Sequence, residues 1–235
     1  MNQLIQLGEH TWIANANFAV AKIDFGNRMT IIRLPDASLC LISPLRFNDA
    51  LASEIEKIGN VRYLIAPNRH HNLFFDRWAK RFPQAQLCAP NNTSRLQPDI
   101  ELNENTLTTL NQQWEPGLKG IFVHGLPILS ETAFYNPQDK ILVITDIAFN
   151  IQQQNKWFSR LVFKSYGVYA KFGPSRLIRA TIKNKTAFGT SMKTLLDLPF
   201  KQIIVSHGAC VTTNAQEIFR DAFAEYCQVE PPGCT

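Results

Sequence analysis

Short runs of alternating apolar and polar residues fill the first 45 positions of the chain. The runs HTWIANANF, VAKIDFG, MTIIRLP and SLCLISP are separated by turn residues such as Gly26-Asn27 and Pro35-Asp36. Alternation with a period of two, interrupted by turn residues, is typical of antiparallel β-strands. The sequence therefore begins with a predicted series of short strands.

Helical and extended patterns alternate after this point. Helices are predicted at 48–59, 73–81 and 214–227, the last with Thr213 as N-cap and Gln216 in a capping box. Strands are predicted at 61–66, 86–89, 119–124, 131–135, 140–145 and 201–206, and those at 61–66 and 201–206 are expected to be buried. Strands with intervening helices predict one α/β domain over 1–235, built as a layered sandwich of sheets with helices on the outside.

A basic insert with a helical pattern is predicted at 150–196. Four basic residues of its first part lie within about 80° of one another on a helical wheel: Lys156, Arg160, Lys164 and Lys171. Aromatic and aliphatic side chains occupy most of the remaining arc. Gly173-Pro174 is expected to end this helix, and a second helix is expected to begin at Ser175. The simplest interpretation is a helical pair that packs its aromatic face on the core and leaves its basic face in solvent.

The composition favours a folded protein with reduced thiols. Hydrophobic residues make up 45% of the chain, and no apolar run is long enough for a transmembrane helix. The N-terminus lacks the pattern of a secretory signal. Five cysteines are scattered without a CxxC pair: Cys40, Cys88, Cys210, Cys227 and Cys234. These features favour a cytoplasmic protein.

Charge is distributed unevenly along the chain. The net charge is +5, yet no acidic residue lies between Asp146 and Asp197. That stretch carries nine basic residues: Lys156, Arg160, Lys164, Lys171, Arg176, Arg179, Lys183, Lys185 and Lys193. The insert is therefore strongly basic, whereas the rest of the chain has more acidic than basic residues.

Candidate metal ligands follow predicted strands. A site for two metal ions needs ligands from several strand ends, because one loop cannot surround both ions. His70, Asp146 and His207 each lie just after a predicted strand.

Segments around these residues resemble signature segments of the metallo-β-lactamase superfamily, in the same order and over most of the chain. The family motif His-x-His-x-Asp-His corresponds to NRHHNL at 68–73, and its Phe-Pro-x-Ala segment to FPQA at 82–85. Its Gly-His-Thr-Pro-Gly-Ser segment corresponds to LPILSE at 126–131. Its Thr-Gly-Asp-x-x-Phe and His-Gly signatures correspond to ITDIAF at 144–149 and SHG at 206–208. The resemblance implies an αββα four-layer sandwich.

Several ligands of the family motif are replaced in this chain. Asn68 stands for the first histidine, Asn72 for the aspartate, Leu73 for the last histidine and Pro127 for the histidine of the Gly-His segment. Leucine and proline side chains cannot coordinate a metal. Asn72 cannot act as the general base that an aspartate there would supply. A two-zinc hydrolase is therefore not expected.

Two hypotheses about the site remain open. In the first, His70, Asp146 and His207 hold one divalent ion (zinc, iron or manganese), with His71 or Asn72 as an extra ligand. The chain would then be a hydrolase-like enzyme, with Asn72, His71 and Glu131 as candidate catalytic residues. In the second, the three residues hydrogen-bond one another in a metal-free cleft. The protein would then be a non-catalytic scaffold.

The basic insert and the segment 124–131 supply further candidates. Glu131 could replace a lost carboxylate or hold a turn, and His124 is interpreted as an ordinary strand-end histidine. Arg176 and Arg179 are candidate anion-binding residues of a lid. A small anionic molecule or a membrane surface is the expected partner, and nucleic acid is not expected because phosphodiester cleavage in this family depends on two metals.

Overall fold

The computed structural model describes residues 3–21, 23–90, 114–152 and 156–227. The chain divides into two compact units. The first comprises Met1–Gly120 with Asn136–Asp139, and the second comprises Ile121–Tyr135 with Lys140–Thr235. That the chain is a single domain stays a prediction.

Strands of the first unit come mainly from the predicted N-terminal series. They are β1 (Leu4–Gln6), β2 (Thr11–Ala16), β3 (Ala19–Val20), β4 (Ile23–Asp24), β5 (Asn27–Arg33), β6 (Ser38–Ile42), β7 (Asn60–Ile65) and β8 (Gln86–Cys88). Six of them form one sheet in the order β1-β2-β5-β6-β7-β8, and β3 and β4 pair with each other. Pairing is antiparallel from β1 to β6 and parallel from β6 to β8. The pairing becomes parallel where a helix connects consecutive strands, because the helix carries the chain back so that the next strand runs in the same direction.

The helices of this unit are α1 (Asp49–Glu56) and α2 (Phe75–Arg81). The predicted cap of α1 is confirmed, because the Leu51 N–H donates to Asn48 Oδ1 at 3.0 Å. In α2 the fully buried Trp78 donates its ring N–H to the Leu45 carbonyl at 2.7 Å. Both helices pack apolar residues on the sheet, in a core that contains Ile31, Leu41 and Leu64.

The remaining strands and helices belong mostly to the second unit. The strands are β9 (Lys119–Phe122), β10 (Thr132–Asn136), β11 (Ile141–Ile144), β12 (Phe149–Asn150), β13 (Phe172–Gly173) and β14 (Gln202–Val205). The helices are α3 (Trp157–Ser165), α4 (Arg176–Thr181), α5 (Lys185–Leu196) and α6 (Ala215–Cys227). Four strands form a sheet in the order β14-β11-β10-β9, and β12 pairs with β13. Phe188, Phe219 and Phe223 contribute to the core between α5, α6 and this sheet.

The first helix of the insert is shorter than predicted. α3 ends at Ser165, and the following backbone pairs with the segment after β11 instead of continuing the helix. The Ala170 N–H donates to the Ile151 carbonyl at 2.7 Å, and β13 pairs with β12. The expectation of one helix up to Gly173 is therefore wrong.

The expected orientation of α3 is also wrong. Trp157, Phe158 and Leu161, assigned to the core-facing side from the sequence, are exposed. The side of the helix that is buried carries Ser159 and Phe163. A helical wheel places these two about opposite the exposed apolar residues.

The start of α6 differs by one residue from the start that the predicted capping box implies. The helix begins at Ala215, so Asn214 rather than Thr213 is the residue before its first turn. The Ile218 N–H donates to the Asn214 carbonyl at 3.0 Å. The Gln216 side chain donates to the Leu198 carbonyl at 2.7 Å and thereby ties α6 to the loop after α5.

Within the part of the chain that the structure describes, every helix is too short or too polar to cross a membrane.

Candidate functional site

Asp146 and His207 follow two neighbouring parallel strands. β11 and β14 pair in register up to Ile144 and Val205. The carboxyl ends of parallel neighbours lie at the same edge of a sheet, so Asp146 and His207 meet there although they lie 61 positions apart in sequence. Asp146 Oδ1 lies 3.1 Å from His207 Nε2, and both side chains are buried. The second unit thus holds a paired carboxylate and imidazole.

The His207 ring is fixed from two sides. The Phe149 ring stacks on it with a centroid distance of 5.2 Å and an interplanar angle of 12°. The His207 carbonyl accepts the Asn150 N–H at 3.0 Å, and the Asn150 side chain donates to the Ala209 carbonyl at 2.7 Å. The stacking orients the imidazole, and the two hydrogen bonds hold the backbone that carries it.

Gly208 permits this close approach of β12 to the turn after β14. Its φ is +101°, which disfavours residues with a Cβ. A Cβ at this position would also lie 2.1 Å from the Asn150 carbonyl oxygen. Glycine is therefore required at this point, where the segment after His207 runs alongside β12.

A buried carboxylate holds the Asp146 loop. Glu131 is fully buried and accepts three backbone N–H groups, from Thr145 at 2.7 Å, Asp146 at 2.8 Å and Ile147 at 3.2 Å. Removal from water raises the pKa of Glu131, and the nearby charge of Asp146 raises this pKa further. The N–H groups of Thr145 and Asp146 oppose the rise because they favour the ionised form. Glu131 thereby sets the backbone path that carries Asp146.

In the first unit, the segment after β7 is shaped by Asn68. Its side chain is buried and accepts the His70 N–H at 2.8 Å and the His71 N–H at 3.1 Å. This side-chain-to-backbone turn places the two histidines in different surroundings. His70 is exposed, whereas His71 is half-buried with Nδ1 2.6 Å from Ser43 Oγ.

The Ser43 contact bears on how His71 could bind a metal. When Nδ1 carries the proton and donates to Ser43 Oγ, the lone pair lies on the other ring nitrogen. A hydrogen bond from the second ring nitrogen is the usual way in which proteins orient a metal-binding histidine. Ser43 has no motif around it, and no feature of the sequence indicates this role.

Asn72 has a buried side-chain amide without a hydrogen-bond partner. The residue is 3% exposed, and both its Oδ1 and its Nδ2 lack a partner in the structure as described. Burial of such a group costs free energy unless something satisfies it. In the resemblance to the family motif this residue corresponds to the aspartate, and a role for Asn72 in catalysis stays a prediction.

One group of described residues has the composition of a metal site. This group consists of Asp146 and His207 in the second unit and of His71 in the first, all residues of types that bind metal ions. Imidazole and carboxylate donors suit zinc, iron(II) and manganese. The sequence predicts His70 in place of His71, and this assignment of His70 stays a prediction.

The other candidates from the sequence are not members of this set. His124 is exposed, packs edge-on against Phe122 at 5.0 Å, and donates its N–H to Ser191 Oγ at 3.0 Å. Arg176 is exposed and donates to the Ser165 carbonyl at 3.1 Å. Arg179 pairs with Glu225 of α6, which offsets its charge. Anion binding by Arg176 and Arg179 stays a prediction.

Comparison with known proteins gives a result at the level of fold. No family model matches the chain, and no curated protein is similar to it in sequence. The chain is similar in structure to a metallo-β-lactamase from Pontibacter korlensis, with a TM-score of 0.63, 13% identity, and coverage of 97% of this chain and 100% of the other. It is similar to the metallo-β-lactamase FIM-1 from Pseudomonas aeruginosa in its mono-zinc form, with a TM-score of 0.63, 9% identity, and coverage of 97% of each chain.

A third similar structure is the metal-soaked Flv1 flavodiiron core from Synechocystis. Its TM-score is 0.63 and its identity 13%, over 97% of this chain and 61% of the other. Identities this low establish a shared fold without a shared activity. The α/β class and the fold predicted from the sequence are confirmed, and the chain has the metallo-β-lactamase fold.

Proposed function

We propose that the chain is a metal-dependent, hydrolase-like protein whose site holds a single ion. The observation that carries the proposal is the buried pair of Asp146 and His207 at the ends of β11 and β14. A buried carboxylate beside an imidazole, both positioned by backbone contacts, is the kind of arrangement that binds a divalent cation. Structures with this fold include a mono-zinc metallo-β-lactamase and a metal-soaked flavodiiron core.

His71, Asp146 and His207 are the proposed ligands. Two imidazoles and one carboxylate leave coordination positions open for water or substrate. Replacement of the other motif histidines by Asn68, Leu73 and Pro127 removes the donors that a second ion would need. A single ion is therefore the most that this donor set supports.

The residues around the site have separate tasks in this proposal. Glu131 holds the Asp146 backbone, Phe149 and Asn150 hold His207, and Ser43 orients His71. A bound divalent ion would supply Lewis acidity that polarises the scissile group of a substrate and activates a water. The Asn72 amide offers N–H donors and an acceptor oxygen to a polar substrate group but cannot take up a proton.

The test is the metal content of the purified, untagged protein, measured by ICP-MS before and after anaerobic reconstitution with Zn²⁺, Fe²⁺ or Mn²⁺. We expect about one tightly held equivalent, since two histidines and one carboxylate form one site. His207→Ala and Asp146→Asn should lose it. His124→Ala, which removes an exposed histidine outside the set, should retain it.

Paired variants decide which neighbour in the Asn68 turn is a ligand. His71→Ala should lose the metal and His70→Ala should keep it. The reverse result would assign the third position to His70. Absence of metal under all conditions, or full retention in His207→Ala, would contradict the proposal. If the protein holds a metal ion, the metal-loaded form would next be screened for hydrolysis of esters, thioesters and phosphodiesters.

A further inference from the structure

α3 presents apolar side chains to solvent. Trp157 is 71% exposed, Phe158 51% and Leu161 57%. On a helical wheel these three lie within about 100°, and the buried Ser159 and Phe163 lie on the opposite side. The helix is attached to the protein by a narrow side and directs its broad apolar side outward.

The surface next to α3 extends this apolar patch. Tyr166 is 37% exposed at the end of the helix, and Leu177 of α4 is 60% exposed. α4 starts beside α3, since the Arg176 N–H donates to the Tyr166 carbonyl at 2.9 Å. Clustered exposed aromatic and aliphatic side chains at one place differ from the single exposed apolar residues that any protein surface has.

Basic residues border the apolar patch. Arg160 and Lys164 lie along one side of the exposed stripe of α3, and Lys156 precedes the helix. Among the described residues these three take part in no ion pair, and all three are exposed. No acidic residue occurs anywhere between Asp146 and Asp197. The patch therefore has a positive potential that no neighbour in sequence offsets.

We propose that α3 and the start of α4 form a docking surface for an anionic lipid bilayer. Apolar side chains, with tryptophan among them, would enter the boundary between headgroups and acyl chains, and the bordering lysines and arginine would contact lipid phosphates. α3 has nine residues and a length of about 14 Å, so it would lie on the bilayer surface and not span the core of about 30 Å. This surface acts independently of the metal site.

The complementary charge favours a lipid surface over a second copy of the chain. A symmetric contact through this patch would bring two basic borders, each with Arg160 and Lys164, close to one another, and the repulsion between them is unfavourable. An anionic bilayer offers negative charge over the whole area, and its interior accepts Trp157, Phe158 and Leu161 together.

The test is co-sedimentation of the full-length protein with vesicles of phosphatidylcholine alone and with vesicles that contain about 30% phosphatidylglycerol. We expect binding to the anionic vesicles, weakened at high salt because surface charges are screened. Trp157→Ser/Leu161→Ser should lower the partition coefficient on the order of tenfold or more, since each change removes a large apolar surface that the bilayer would bury. Arg160→Glu/Lys164→Glu should lower it by a similar factor.

Ile128→Ser is the matched control, because Ile128 is 51% exposed in the same unit but lies outside the patch. It should bind like the wild type. Thermal melts should show that all variants are folded, as expected for exposed positions. A blue shift of tryptophan fluorescence on vesicle binding, absent in the Trp157 variant, would locate the contact. Failure to bind anionic vesicles, equal binding by all variants, or a dimer in sedimentation velocity that Trp157→Ser/Leu161→Ser abolishes would overturn the proposal.

Discussion

Glu131 shows at the scale of one residue how a buried charge can serve as a structural element. Its carboxylate accepts three successive backbone N–H groups, which β11 would otherwise leave without partners at its end. A buried N–H without an acceptor is costly, so the carboxylate and the loop stabilise each other. The backbone position of Asp146 thus depends on its contact with Glu131, and no sequence pattern indicates this contact.

We expect Glu131→Ala to lower the free energy of unfolding by about 3 kcal/mol or more, because three buried N–H groups lose their acceptor. Glu131→Gln keeps one acceptor oxygen but turns a donor toward these N–H groups, and its cost should be smaller. Urea unfolding followed by circular dichroism measures both. Glu54→Ala, at an exposed position of α1, should change stability by less than about 0.5 kcal/mol. A Glu131→Ala protein as stable as this control would show that the contact is dispensable.

The sequence locates the site residues unequally, for a physical reason. Asp146 and His207 follow apolar runs that must be buried strands, so their positions at strand ends could be inferred. His70 and His71 lie in an irregular turn with no periodicity, and the side-chain acceptor of Asn68 decides where each imidazole points. Ser43 reaches His71 from 28 positions away in sequence, which only the folded chain reveals.

At the scale of elements, α3 shows what periodicity leaves undetermined. An apolar arc predicts an amphipathic helix, and burial of that arc is the usual consequence. In α3 the arc faces solvent, and the single aromatic residue outside it, Phe163, is buried. The pattern defines two faces of a helix, but contacts with distant parts of the chain decide which face is covered.

The packing of α5 on α6 leads to a further prediction. Gly189 lies within α5, where a Cβ would approach the Tyr226 carbonyl oxygen to 2.1 Å. Alanine is normally favoured over glycine in a helix by about 1 kcal/mol. Here Gly189→Ala should instead destabilise the protein by about 1–3 kcal/mol, because the two helices must move apart.

Thermal or urea unfolding of Gly189→Ala measures this effect. Thr190→Ala is the neighbouring control, since Thr190 is exposed on the same helix. Its stability should stay within about 0.5 kcal/mol of the wild type. A stabilised Gly189→Ala variant would mean that α5 and α6 do not approach each other as closely as the structure shows.

At the scale of the whole molecule, a mononuclear site links metal binding to the stability of the folded chain. An ion that binds only the folded state stabilises it by about 2.7 kcal/mol when its free concentration is 100 times Kd. For a chain of this length, that corresponds to an increase in Tm of about 5–10 °C. We expect this increase with whichever of Zn²⁺, Fe²⁺ or Mn²⁺ is retained on reconstitution.

The increase should disappear in His207→Ala and His71→Ala and persist in His124→Ala, as measured by differential scanning fluorimetry at matched metal concentrations.

The Tm of each variant without metal is the control. A variant that only loses a metal ligand should have the metal-free Tm of the wild type, whereas a variant that also loses packing should have a lower one. His207 has a stacked neighbour in Phe149, so its variant should also show a small decrease in the metal-free Tm. The His71 ring is half-buried and hydrogen-bonds Ser43, so its variant should show at most a small decrease in the metal-free Tm. An equal metal-induced shift in all four proteins would place the ion elsewhere on the chain and leave the Asp146–His207 pair a structural contact.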